Sequence, residues 1–475
     1  APSSKPAGDA TATPSASPTA VPTITATGTP TSEPTRTATP PSVAGAEGLG
    51  DALYPTMGNG GYDALHYTVT LDVAVETNTI TATTTLEALA TEDLSAFNLD
   101  FHGLTIARIT VDGEPAAYAR DGDELTITPA GVLPAGDPFS VSVDYGGVPD
   151  AFPDPGAFGQ DVGWQHSPWG IYVSSEPSGS KSWYPVNNHP SDKASYTFRI
   201  TVDEPYLVAA NGTLEAETDE GAERTYVWEQ DEPMASYLAA IYIGDLERVE
   251  EPGPGGLPIR NYFPPGTGPE VTGAFANTAE MIDVFSNLFG PYPFDAYGVV
   301  VVPMPLGYAL ENQTLSLFGL DMVDESVAAH ELAHQWFGNS VSPARWHEVW
   351  LNEGFATYSE ALWVEHNSGQ QGLETVMNVL YDEASRREQF AIGTPPVERL
   401  FDWLVYTRGA WTLHALRLEV GDEAFFEIVR TYYDRYQHGT ATTTDLIAVA
   451  EEISGQELDA LFEAWLYTEE MPARP

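Results

Sequence analysis

Cysteine is missing altogether from these 475 residues, which excludes disulfides and thiolate ligation; a metal ion would have to be held by histidine and carboxylates. Basic residues are scarce, 19 Lys and Arg against 69 Asp and Glu, and the net charge of -50 argues against nucleic acid or an anionic membrane surface as a partner. The plain meaning of this balance is a solvated acidic surface; its functional meaning would be a field that draws in cationic peptide N-termini. No run of about 18 apolar residues occurs, so no transmembrane segment is expected. Residues 1–48 contain no aromatic side chain and are mostly Thr, Pro, Ala and Ser, as in Thr11-Ala12-Thr13-Pro14-Ser15-Ala16-Ser17-Pro18. Such a composition buries too little apolar surface to offset the entropy of ordering, so 1–48 is expected to be a disordered tether. A Thr/Pro stalk ahead of a globular body suggests a secreted or cell-envelope protein, with a plain disordered terminus as the rival, and the lack of an initial methionine and of an apolar leader is read as a signal peptide already removed or never included.

What is present fills more than one core. With 42% hydrophobic residues the chain is long enough for two or more domains. From Tyr62 to about Pro264 the pattern alternates with period two between Gly, Pro, Asp and Asn turns, as in Tyr67-Thr68-Val69-Thr70-Leu71-Asp72-Val73, and predicts a β domain over 49–265, a curved antiparallel sheet or sandwich. After Pro264-Pro265-Gly266 the period changes. Helices are predicted over 272–288, 423–436 and 458–466, and strands over 297–302 and 313–318, giving a mainly helical α/β body over 266–475.

That body contains His330-Glu331-Leu332-Ala333-His334 and, after an eighteen-residue spacer, Glu353 within Trp350-Leu351-Asn352-Glu353-Gly354. Positions four apart share one face of a helix, so both imidazoles can reach one ion, and Glu331 projects beside them where it could accept a proton from water. A catalytic zinc site takes three protein ligands, and Glu353 is the candidate third. Asp324 and Ser326 can cap the first helix, which runs without Gly or Pro from Val327 to Phe337, and a second helix from Trp350 would carry Glu353. No phosphate-binding glycine loop is evident, and no cofactor other than one zinc ion is implied.

This motif with its spacer resembles the zinc signature of the M1 family of aminopeptidases, the gluzincins related to aminopeptidase N and leukotriene A4 hydrolase. Phe289-Gly290-Pro291-Tyr292-Pro293-Phe294 resembles the lead-in to the family's catalytic domain, Ala309-Leu310-Glu311-Asn312 its exopeptidase motif, and Tyr406-Thr407-Arg408-Gly409-Ala410 the segment bearing its catalytic tyrosine. The resemblance covers about residues 60 to 475. It implies a saddle-like β domain followed by a thermolysin-like zinc metallopeptidase domain, and peptide substrates with a free N-terminus. In that reading His330, His334 and Glu353 bind the metal, Glu331 is the general base and Tyr406 stabilises the oxyanion. Glu311, with Ala309 and Asn312, binds substrate, the Glu311 carboxylate pairing with the α-ammonium. The chain departs from the pattern in four places. Tyr308 stands at a family glycine, Leu310 at the usual methionine and Arg408 at the usual lysine, and Ser174 or Ser175 is nearest to the family's amine-binding glutamine. Glu176-Pro177 could supply a substitute carboxylate, but a Glu-Pro pair near Gly179 reads first as a turn. An endopeptidase on the same scaffold, with a more open cleft, is the alternative; a catalytically silent envelope binding module is the rival of another class.

Overall fold

The structure, a computed structural model, describes residues 43–219 and 221–474. The tether expected over 1–48 lies outside the described residues as far as position 42. Val43 and Ala44, within that range, belong to the folded body: Val43–Ala44 pairs in parallel with Leu94 and Ala96.

Strand Tyr62–Ala74 shows why the N-terminal half folds as β. Ala64, Tyr67, Val69, Leu71 and Val73 are buried while Asp63, Thr70 and Asp72 face water, the alternation of a half-buried strand. It lies inside an eight-stranded sheet in the order 213–219, 223–234, 194–203, 62–74, 79–90, 138–147, 105–111, 114–115. One pairing in it, between Tyr62–Ala74 and Ala194–Asp203, is parallel. A four-stranded sheet (43–44, 94–100, 124–128, 117–121) and a five-stranded one (152–153, 161–167, 170–174, 241–244, 207–210) complete this half.

The second half is built on another five-stranded sheet in the order 247–252, 258–263, 299–302, 316–319, 309–310. Its middle strand Val299–Val302 is buried at every position, as a parallel strand covered on both faces must be. This sheet crosses the boundary expected at residue 265. Strands Glu247–Pro252 and Pro258–Phe263 read as part of the β domain, yet Tyr262 pairs with Val300 and joins them to the helical half. Ala309–Leu310, at the sheet's outer edge, lines the cleft.

Three helices position the cleft. Glu325–Ala333 is capped by Asp324, whose side chain accepts from Ser326 N, and it ends in irregular turns before Phe337, four residues earlier than its Gly- and Pro-free sequence predicts. Trp350–Ser368 and Trp403–Val420 cross where Gly354 meets Gly409. A Cβ on Gly409 would lie 2.9 Å from Gly354 Cα, so the two backbones touch with no side chain between them. Among the described residues no helix is long and apolar enough to cross a membrane.

Candidate active site

The helix Glu325–Ala333 sets His330 and His334 one turn apart, and the helix Trp350–Ser368 brings Glu353 against them. Candidate ligand atoms of these three buried residues all lie within 4.8 Å of one another. Glu353 Oε2 is 3.3 Å from His330 Nε2 and 3.5 Å from His334 Nε2. The other ring nitrogens are already engaged: His330 Nδ1 donates to Glu360 Oε1 at 2.8 Å and His334 Nδ1 to the Phe337 carbonyl at 3.1 Å. With Nδ1 donating outward, each neutral ring would present its Nε2 lone pair inward to a metal. Two imidazoles and one carboxylate with their outer nitrogens satisfied fit zinc. Glu360, on the helix of Glu353 two turns on, also accepts from Ser326 Oγ at 2.6 Å. Sequence reasoning missed Glu360, although its seven-residue spacing from Glu353 places it on the same helix face.

Glu331 is buried beside the pair, and its Oε2 has no hydrogen-bond partner. Burial, added to by the neighbouring Glu311 and Glu353 charges and opposed by the two histidines, raises its pKa. Glu353 is also buried, but the histidines outweigh that and hold its carboxyl down at about 2. Tyr406 comes from the third helix. Its ring stacks on His330 with centroids 5.9 Å apart and 16° between planes, and on Trp403 at 5.4 Å, and it lines the cleft. Arg408 faces away from the cleft: its guanidinium donates to the carbonyls of Phe390, Ala464, Thr468, Glu469 and Glu470, tying down the C-terminal segment.

Glu311 follows the edge strand. Its backbone carbonyl accepts from Asn339 Nδ2 at 2.7 Å and Gln335 Nε2 at 3.1 Å, while its Oε1 is buried with no hydrogen-bond partner, 4.0 Å from His334 Nδ1. Ala309 lines the cleft as expected. Asn312 does not: it is buried and its amide donates to Tyr242 OH at 2.6 Å, so it braces the site from behind and is removed from the substrate contacts. Glu176 is the larger correction. Glu176-Pro177 does lie in a turn, as its sequence reads, but that turn carries the side chain into the site: the carboxylate lines the cleft and comes within 4.8 Å of those of Glu311 and Glu353, with Oε1 unpartnered. Burial, then the Glu311 charge, raise its pKa well above the carboxylate range. Tyr308, at the position of the family glycine, forms part of the cleft wall, its hydroxyl against those of Tyr172 and Ser174. Ser175, the other candidate for the family glutamine, is buried outside the lining. The cleft has a volume of about 500 Å³ and its wall includes Phe158, Val162, Leu310, Phe401 and Trp403.

The family description "Peptidase family M1 domain" matches residues 274–465, and "Peptidase M1 N-terminal domain" matches residues 63–238. An M1 zinc metallopeptidase from Deinococcus radiodurans, solved as a glutamate-to-alanine variant bound to a Tyr-Ser-Ala substrate, superposes with a TM-score of 0.84 at 32% identity, covering 90% of this chain and 99% of that one. Aminopeptidase N of Streptomyces lividans is 27% identical over 438 residues, 85% of this chain and 50% of the relative. Aminopeptidase M1-B of Oryza sativa subsp. japonica is 29% identical over 314 residues, 61% of this chain and 36% of the relative. The chain thus spans half or less of these two curated relatives. With both family descriptions matched in order, and with the paired histidines and Glu353 brought together by the fold those descriptions imply, the chain belongs to peptidase family M1.

Proposed function

We propose that this protein is a zinc-dependent aminopeptidase, holding a single zinc ion on His330, His334 and Glu353 and releasing N-terminal residues from peptides. The observation that carries the reading is the pair of unpartnered carboxylates, Glu176 and Glu311, clustered with Glu353 beside the histidines. Zinc held there supplies Lewis acidity and brings the ionisation of water toward neutral pH. The chain's own groups do the rest. Glu331 takes the proton of the attacking water and returns it to the leaving amine. The Tyr406 hydroxyl donates to the oxygen on which negative charge develops. The outer edge of Ala309–Leu310 offers backbone groups to an extended peptide. Glu311 and Glu176 pair with the α-ammonium, which fixes the scissile bond one residue from the chain end, since a desolvated ammonium must be paired. The composition of residues 1–48 supports an exported, tethered enzyme.

Acetylating the substrate amine removes its charge and leaves both carboxylates facing an amide. Wild type is therefore expected to prefer free-amine peptides over N-acetylated ones by ~2 to 5 kcal/mol. Glu311→Ala should lose most of that preference, chiefly by slowing the free-amine substrate. Equal rates on blocked and free peptides in wild type would overturn the aminopeptidase reading and favour internal cleavage.

A further inference from the structure

The chain contains three lysines against sixteen arginines, so a lysine in the folded body invites the question of what an arginine could not do there. Lys181 forms an ion pair with Asp123 at 2.9 Å. Lys193 does something else. It stands in the β domain just before strand Ala194–Asp203, and its ammonium donates to three backbone carbonyls of the other half: Asn339 at 2.8 Å, Ser340 at 2.9 Å and Gly439 at 3.3 Å. Three N–H donors fanned from one atom suit three converging carbonyls, whereas a planar guanidinium does not. No carboxylate is within ion-pair distance of Nζ among the described residues, and burial pulls its pKa down to about 7.

The turn it grips is the one that closes the histidine helix. Asn339 N bonds to the His334 carbonyl at 3.0 Å and Ser340 N to that of Gln335 at 3.1 Å. Tyr237, also from the β domain, donates to the Gly338 carbonyl at 3.1 Å. Gly338 has φ +128, and a Cβ there would come within 3.2 Å of His334 Nδ1, so the turn packs tightly against the outer edge of the His334 ring. On its other side, Asn339 Nδ2 holds the Glu311 carbonyl at 2.7 Å. One buried ammonium therefore sits behind a single turn that touches both the histidine helix and the amine-anchoring glutamate.

We propose that Lys193 is a positioning residue for amine recognition: by clamping the Asn339–Ser340 carbonyls it fixes, through the Asn339 side chain, the segment that aims Glu311 into the cleft. This rests on the reading of Glu311 as the α-ammonium anchor. It makes the β domain a participant in exopeptidase selectivity through a contact remote from the substrate.

The test uses the full chain loaded with zinc. Lys193→Met keeps most of the side-chain volume and removes the three donors. It is expected to lower kcat/KM for a free-amine substrate about 10-fold, mainly through KM, and to reduce the free-amine over N-acetyl preference with it. Zinc stoichiometry should stay at the wild-type value. Asn339→Ala cuts the same chain one link downstream and should reproduce the selectivity loss; combined with Lys193→Met it should add little. It also decides the matter if Lys193→Met yields no folded protein. A folded Lys193→Met whose preference stays within two-fold of wild type overturns the proposal, as does a loss carried wholly by kcat together with loss of zinc. Failure of the underlying reading looks different: wild type itself would show no preference for the free amine.

Discussion

A hydroxyl at an active site is worth most where nothing in the resting protein competes for it. Tyr406 has that character, because its ring is held by stacking on His330 and Trp403 and, among the described residues, its hydroxyl makes no hydrogen bond. Its burial, followed by the charges of Glu353 and Glu176, keeps the phenol protonated far above neutral pH, so it remains a donor. Tyr406→Phe removes the donor and keeps both stacking contacts. We expect kcat and kcat/KM to fall together by roughly 10² to 10³ with the melting temperature close to wild type. A variant within a few-fold of wild-type turnover would reduce Tyr406 to a packing residue. At the same scale, Glu176 and Glu311 illustrate why unpartnered buried carboxylates are informative. Charging a buried carboxyl that has no partner costs several kcal/mol at order of magnitude, which is why burial raises the pKa of both Glu176 and Glu311, and a cationic group entering beside them would offset that cost.

Among elements, the crossing of the helices Trp350–Ser368 and Trp403–Val420 decides whether the site assembles. Glu353 and Tyr406 lie on different helices, and each stands next to or near the glycine at the contact, Gly354 and Gly409. Replacing a helix-interior glycine by alanine ordinarily stabilises by about 1 kcal/mol. Here the new Cβ would lie 2.9 Å from the backbone of Gly354, closer than such atoms pack, and backbone cannot rotate aside as a side chain can. Overpacking of this kind costs about 1 to 3 kcal/mol and should win. Gly409→Ala is therefore expected to lower the urea midpoint and to weaken zinc retention, because parting the helices moves Glu353 from the histidines. An unchanged midpoint would show that the crossing has room to spare.

For the whole molecule, the dominant fact is the acidic balance, a net charge of -50, together with the gathering of four carboxyl groups, from Glu176, Glu311, Glu331 and Glu353, at one site. A divalent cation held by His330, His334 and Glu353 would favour the ionised form of these groups and would bind the folded state alone. Linkage then stabilises the protein by about 2.7 kcal/mol when free zinc is a hundred times its dissociation constant. Chelator treatment is expected to abolish hydrolysis and to lower the melting temperature by several degrees, and zinc should restore both. Identical melting of stripped and zinc-supplied protein would mean that the three ligands do not form a metal site.

Local chemistry was legible before any coordinates. The i, i+4 histidines need only a helix, and Asp324 begins one. The period-two strands need only one wet and one dry face, which Tyr62–Ala74 shows residue by residue. Glu353 was within reach because its helix follows closely and carries a matching motif. Elsewhere position depended on partners far along the chain. Asn312 sits beside Glu311 in sequence yet faces the opposite way, since Tyr242 offers it a partner behind the site. Glu176 reads as a turn and stands in one, but only the folded β domain sets its carboxylate against that of Glu311. The boundary drawn at 265 follows a change of period, but hydrogen bonding carries the sheet across it. Lys193 bears no motif at all, because what it grips is backbone, and carbonyls have no sequence signature. The sequence by itself determined the histidine pair, the glutamate beside it and the two kinds of secondary structure, which follow from spacing along one element. Tertiary structure alone decided which carboxylates meet and what holds them, because those contacts join segments whose separation in the chain leaves their distance in space unconstrained.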